Sequence, residues 1–134
     1  MRTPIRRVPL LLACALAAGC TPRDYHRDAQ RPVAADRDAL KCSAERLRGL
    51  GYTVRENEPT EHELWAKRLI VRERGARYDR FDSIQLRLRG GGAARTLLAS
   101  AATLEGGEGG VAPRWRAPSP RAVADADAVL AACT

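Results

Sequence analysis

From residue 36 onward the apolar positions fall into two periods, and the change between them marks the elements. Leu40, Ala44, Leu47 and Leu50 recur at helical spacing, which gives one apolar stripe and predicts a helix from Asp36 or Asp38 to Leu50. An Asp at its start can accept from free backbone N–H groups, and Gly51 follows its last periodic residue, where a helix-ending glycine belongs. Tyr52-Thr53-Val54 then reads as a first strand and Leu64 to Arg72 as a second. The inward parity of the second strand is open, because Trp65, Leu69 and Val71 compete with Leu64, Ala66 and Ile70.

The clearest strand is Phe81 to Arg89. There Ile84, Leu86 and Leu88 alternate with Gln85, Arg87 and Arg89, which predicts one buried and one wet face. Gly90-Gly91-Gly92 is a turn. Ala93 to Leu104 follows as a fourth strand, with a helix as the alternative because alanine is a poor strand former. Gly106 to Gly110 reads as a flexible loop and Val111 to Pro120 as extended chain. A last helix is predicted from near Ser119, with Pro120 at its first position, to Cys133; Val123, Ala126, Leu130 and Cys133 share its apolar face. The expected fold class is α+β, in the order α-β-β-β-β-α. It is an antiparallel four-stranded meander with the first and last helices packed on one face.

Upstream of this domain the pattern differs. Residues 21–35 contain Pro22 and Pro32, mixed charge and almost no aliphatic side chains. Such a segment has little apolar surface to bury, so residues 20–35 are expected to form an extended tether. Before it, Arg2, Arg6 and Arg7 precede an uncharged apolar run from Val8 to Ala18. That run suits the h-region of a signal peptide and is too short to span a bilayer. It ends in Leu16-Ala17-Ala18-Gly19-Cys20, which resembles the lipobox of bacterial lipoproteins. The resemblance implies that residues 1–19 are a lipoprotein signal peptide, removed on maturation, and that Cys20 is lipidated and becomes the mature N-terminus. It further implies a membrane anchor of more than one acyl chain, which holds stably. In this class an aspartate after the cysteine retains the protein at the inner membrane of Gram-negative cells. Thr21 stands there, which favours the outer membrane in such an organism. The resemblance covers about the first 21 residues and leaves the domain at 36–134 unassigned.

Charge and cysteine usage extend this picture. The 134-residue chain carries a net charge of +7. Because Arg2, Arg6 and Arg7 leave with the leader, the mature chain is only mildly basic, without the bias of a nucleic-acid binder. The chain has four cysteines. Cys14 lies in the leader and Cys20 is assigned to lipid, so Cys42 and Cys133 remain as one pair for a disulfide in an oxidising compartment.

Candidate chemistry is sparse. His62-Glu63-Leu64-Trp65-Ala66 begins like H-E-x-x-H, but Ala66 stands where the second zinc-binding histidine belongs. Glu56, Glu58, Glu61 and Glu63 surround His62 and would at most hold a hard cation loosely. The glycine clusters match neither phosphate-binding pattern. Nothing implies a cofactor. Arg87 and Arg89, with their neighbours on the second and third strands, form a candidate anion-binding patch. Trp115, between Arg114 and Arg116, either covers an edge of the core or anchors a partner. The expectation is a membrane-anchored envelope lipoprotein whose domain is a non-catalytic binding or accessory module. Its partner would be an envelope protein or an anionic envelope polymer. The alternative is a small envelope enzyme or metal-binding protein that uses the Glu56–Glu63 turn and His62.

Overall fold

The computed structural model describes residues 26–56, 62–70, 78–106 and 112–134. The leader, Cys20 and the first part of the expected tether lie outside the described residues. The elements are β1 (Arg27–Val33), α1 (Ala39–Gly49), β2 (Thr53–Glu56), β3 (Glu63–Leu69), β4 (Arg80–Arg89), β5 (Arg95–Glu105), β6 (Arg114–Arg116) and α2 (Pro120–Cys133). The fold is α+β. One open antiparallel sheet runs in the order β1-β5-β4-β3-β2, with β6 also pairing to β5, and it does not close into a barrel.

The sheet has two strands more than the four expected, and both lie on one edge. β1 pairs with β5 from Arg27↔Ala101 to Val33↔Arg95, and β6 pairs with the remainder of β5 from Thr103↔Arg116 to Glu105↔Arg114. The expected tether through residue 35 is therefore corrected: Arg27–Val33 belongs to the domain. Its polar sequence is compatible with pairing because an edge strand is held mainly by backbone hydrogen bonds, and an edge also tolerates Pro32. Only Val33 of its seven residues is buried. Residues 95–105 form a strand, so the helical alternative for that segment falls. β1 and β2 lie at opposite edges, and α1 carries the chain between them.

Both helices begin on side-chain caps. The Asp38 carboxylate accepts from Lys41 N at 3.1 Å, and Ser119 Oγ accepts from Ala122 N at 3.0 Å with Pro120 following. At the end of α1, Gly51 adopts φ 87°, Gly51 N donates to Arg48 O and Tyr52 N donates to Leu47 O. That pair of bonds closes the helix and needs a left-handed residue, which glycine supplies at least cost. Arg95 fixes the entry to α1 by donating from Nη2 to the carbonyls of Ala34, Ala35 and Arg37.

The core cluster draws Leu64, Ala66, Ile84, Leu86, Leu97, Ala99 and Ala101 from the sheet, and Ala44, Leu47, Ala126, Val129 and Leu130 from the helices. These sheet residues share one parity, since Leu64 pairs with Leu86, Ala66 with Ile84, Ile84 with Ala101 and Leu86 with Ala99. The open parity of β3 is thereby decided: Leu64 and Ala66 point inward, while Trp65 and Leu69 point away. α1 contacts β2, β3 and β4; α2 contacts β1, β4, β5 and α1. The sulfurs of Cys42 in α1 and Cys133 in α2 lie at a disulfide distance of 2.06 Å, with Cα atoms 5.6 Å apart.

Candidate functional site

The sheet face turned away from the core carries most of the residues singled out from the sequence. Strand register defines it in rows. Leu69, Phe81, Leu104 and Trp115 form one row across β3, β4, β5 and β6. Lys67, Ser83 and Ala102 form the next, then Trp65, Gln85, Ser100 and Asp28, then Glu63, Arg87, Leu98 and Gln30. Arg89 and Thr96 follow. Trp115, Arg87 and Arg89 thus share one face, with Trp115 toward one end and the two arginines toward the other.

Trp115 lies outside the core cluster, half-buried, and packs against other aromatic rings. Its ring centroid lies 6.3 Å from that of Trp65 and 5.2 Å from that of His26. β3 and β6 are separated by two intervening strands, about 14 Å at the usual interstrand spacing. The two indoles must therefore lean toward each other over β4 and β5. Beneath that span Ser83 and Ala102 are 5% and 1% exposed, although they point away from the helices. These small side chains are thus shielded on the outer face, while Trp65 stays 37% exposed and Leu69 56% exposed. Lys67 Nζ stands 4.8 Å over the Phe81 ring, a contact that keeps a positive charge beside apolar surface.

At the basic end, Arg87 Nε donates to Glu63 Oε1, and Gln85 Nε2 donates to the same oxygen at 2.7 Å. Arg87 is therefore held by a carboxylate, whereas Arg89 and Arg55 are exposed. Glu63 serves this cross-strand cluster, which draws it into the sheet face. His62 is exposed, and its carbonyl accepts from Leu88 N at 2.8 Å. Residues 57–61, with Glu58 and Glu61, lie outside the described residues, as does the side chain of Glu56. Among the described residues no group of three or more His, Cys, Asp or Glu side chains is placed to hold a metal ion.

A second polar cluster lies on the core side. Arg68 Nη2 donates to Asp82 Oδ2 at 2.7 Å, Arg68 Nη1 lies 3.0 Å from Asp125 Oδ2, and the same nitrogen donates to Leu50 O at 3.0 Å. The guanidinium lies 4.3 Å over the Tyr52 ring, and Tyr52 OH donates to Asp125 Oδ2 at 3.0 Å. Burial opposes the charge on Arg68, but its hydrogen bonds to Asp82 and Asp125 and its charge interactions outweigh that and raise the pKa. Burial raises the Tyr52 phenol well above its ordinary value, and the hydrogen bond to Asp125 adds to the rise. The cluster joins β3, β4, α2 and the end of α1 through shared partners. It acts as a brace, since the polar groups of Arg68, Asp82, Asp125 and Tyr52 are bonded to one another. Sequence reading missed it, yet parity held a signal: Asp82 falls on the Ile84/Leu86 side of β4 and Arg68 on the Leu64/Ala66 side of β3.

A shallow groove of about 550 Å³ also runs between α1 and α2, lined by Cys42, Glu45, Arg46, Gly49, Leu50, Ala128 and Ala132. Its lining is mostly small and carries no converging set of reactive groups. No protein-family model matches the chain, and no curated protein matches it.

Proposed function

We propose that this chain is a lipoprotein of the bacterial cell envelope, anchored through Cys20, whose domain is a non-catalytic binding or accessory module. In this reading the two helices together cover one face of the sheet and leave the aromatic and basic face available for contact. The observation that carries the reading is the placement of Cys42 and Cys133 at disulfide distance. A pair joining the two helices suits an oxidising compartment, which is where a lipobox-bearing chain is delivered. The described residues contain no helix long and apolar enough to cross a membrane, and a lipid on Cys20 provides attachment without one.

Thr21 after the anchor cysteine favours the outer membrane in a Gram-negative cell. The aromatic and basic face supports a binding role: the register sets Arg55 beside Trp65, with Leu69 and Trp115 toward one end of the face and Arg89 toward the other. The test is Cys20→Ser, with membrane fractionation and the mass of the mature N-terminal peptide. The expected result is loss of the acyl mass and release of a folded domain. A variant that stays with membranes after a high-salt wash overturns the anchor.

A further inference from the structure

The aromatic sheet face and the anchor site are close along the chain. His26, whose ring packs against Trp115, is six residues beyond Cys20 in the sequence. A fully extended chain of that length spans about 20 Å. The expected tether of residues 20–35 would have allowed a long stand-off from the bilayer. Because β1 begins at Arg27, the connection is short, and a lipidated Cys20 would hold the Trp115 corner of the sheet within reach of the membrane surface.

We propose that the sheet face bearing Trp65, Leu69, Phe81, Leu104 and Trp115 lies against an anionic phospholipid surface. This inference rests on the lipid-anchor reading and adds an orientation to it. Its chemistry is that of an interfacial contact. Indole rings settle at the boundary between headgroups and acyl chains, where an apolar body and a polar N–H are both accommodated. Trp65 and Leu69 are exposed enough to enter that boundary. On the same face Arg55 and Arg89 are exposed and can meet lipid phosphates. Of the acids on this face, Glu63 is occupied by Arg87, and the exposed Asp28 is outnumbered by Arg55, Arg89 and Lys67.

The anchor also explains how a modest patch can be sufficient. A face held near the bilayer binds as an intramolecular event, at a high effective concentration, so a weak contact becomes persistent. A partner protein would have to enter the gap that the short connection leaves. The membrane is already there.

The experiment uses the lipidated full-length mature protein in vesicles of phosphatidylethanolamine and phosphatidylglycerol. The chain has two tryptophans, Trp65 and Trp115, and both belong to this face, so tryptophan emission, excited at wavelengths that tyrosine does not absorb, reports on it. With lipids brominated on the upper acyl chain, the wild type is expected to lose most of its emission. Leu69→Glu is expected to recover that emission while still floating with the vesicles. Replacing phosphatidylglycerol with phosphatidylcholine is expected to weaken the quenching. Wild-type protein that floats with the vesicles yet keeps its full emission overturns the docking and leaves the anchor standing. Shielding of the tryptophans from aqueous acrylamide without bromolipid quenching, together with cross-linked dimers, assigns the face to a second copy and likewise overturns it. Flotation and the acyl mass on Cys20 test the anchor separately, so failure of one claim is not mistaken for failure of the other.

Discussion

Ser119 Oγ donates to Asp82 Oδ1 across 2.7 Å, so the residue that caps α2 is itself held by a carboxylate buried in β4. The other oxygen of Asp82 accepts from Arg68. One side chain thereby sets the start of α2 on the sheet and neutralises a guanidinium from β3. Removing Asp82 takes the shortest of Arg68's charge-assisted bonds, although Asp125 still pairs it, and also the acceptor of Ser119 Oγ. Hydrogen bonds to a charged group are typically worth about 1.5–3 kcal/mol each. Removing the Ser119 hydroxyl costs a helix cap and one hydrogen bond, about 1–2 kcal/mol. Urea unfolding of Asp82→Ala and Ser119→Ala should therefore rank them in that order. Equal losses would mean that the cap, rather than the ion pair, is the main term.

Tyr52 gives the domain an alkaline sensitivity. Burial and the hydrogen bond to Asp125 favour the neutral phenol in the folded chain, so its pKa lies above the ordinary value of 10.0. A group whose folded pKa is raised contributes stability that is complete below the unfolded pKa and lost as pH rises through the folded one. Above pH 10.0 the unfolded chain releases the proton and the folded chain keeps it. Stability should then fall by up to about 1.4 kcal/mol per pH unit. Tyr52→Phe should lose about 1.5–3 kcal/mol at neutral pH, from the missing bond to a charged acceptor. It should also flatten the alkaline slope. Matching slopes in the two proteins between pH 10 and pH 11 would show that another group is responsible.

The Cys42–Cys133 pair has a sequence separation of 91 residues and closes nearly the whole domain between its two helices. The chain-entropy account assigns about 4–5 kcal/mol to a loop of that size. Cys133 is fully buried, while Cys42 sits on the flank of α1 and is only partly covered. The double variant Cys42→Ala, Cys133→Ala should retain the fold and lose a large part of that stability in urea. The wild type should match it after reduction. If alkylation of the unfolded, unreduced wild type labels both thiols, no bridge exists and the comparison fails at its first step.

The elements legible in the sequence are those whose signal is internal to the element. α1 and α2 show a periodic stripe and a cap, Asp38 and Ser119, and β4 shows its alternation from Ile84 to Arg89. β1 has no such signal, because an exposed edge strand buries almost nothing and draws its hydrogen bonds from β5. The parity of β3 was undecidable for a related reason. Both of its faces are apolar, one set against the core and the other forming the Trp65–Leu69 surface. Trp115 stood out as an isolated indole, but its partner Trp65 is 50 residues away in the chain and meets it only after three strand pairings. Arg87 and Arg89 were visible as charges. That Glu63 engages Arg87 and leaves Arg89 exposed depends on the β3–β4 register.

The β1–β5 pairing decides where the domain begins. Val33 is 4% exposed and belongs to the core cluster, and the rest of β1 pairs with β5 from Thr96 to Ala101. A chain starting at residue 26 should retain the unfolding midpoint of the longer mature chain, since it keeps every pairing on that edge. A chain starting at residue 36 loses Val33, about 1.5–3 kcal/mol of apolar burial, together with the ladder. It also leaves the edge of β5 open, which invites pairing with other chains. The shorter chain should unfold at lower urea and associate with rising concentration. Amide hydrogens on the β1 side of β5 should exchange faster in it than in the chain starting at 26. Indistinguishable midpoints and exchange rates would return residues 27–33 to the role of a linker. The approach of His26 to Trp115, and the short connection to Cys20 that depends on it, would then go as well.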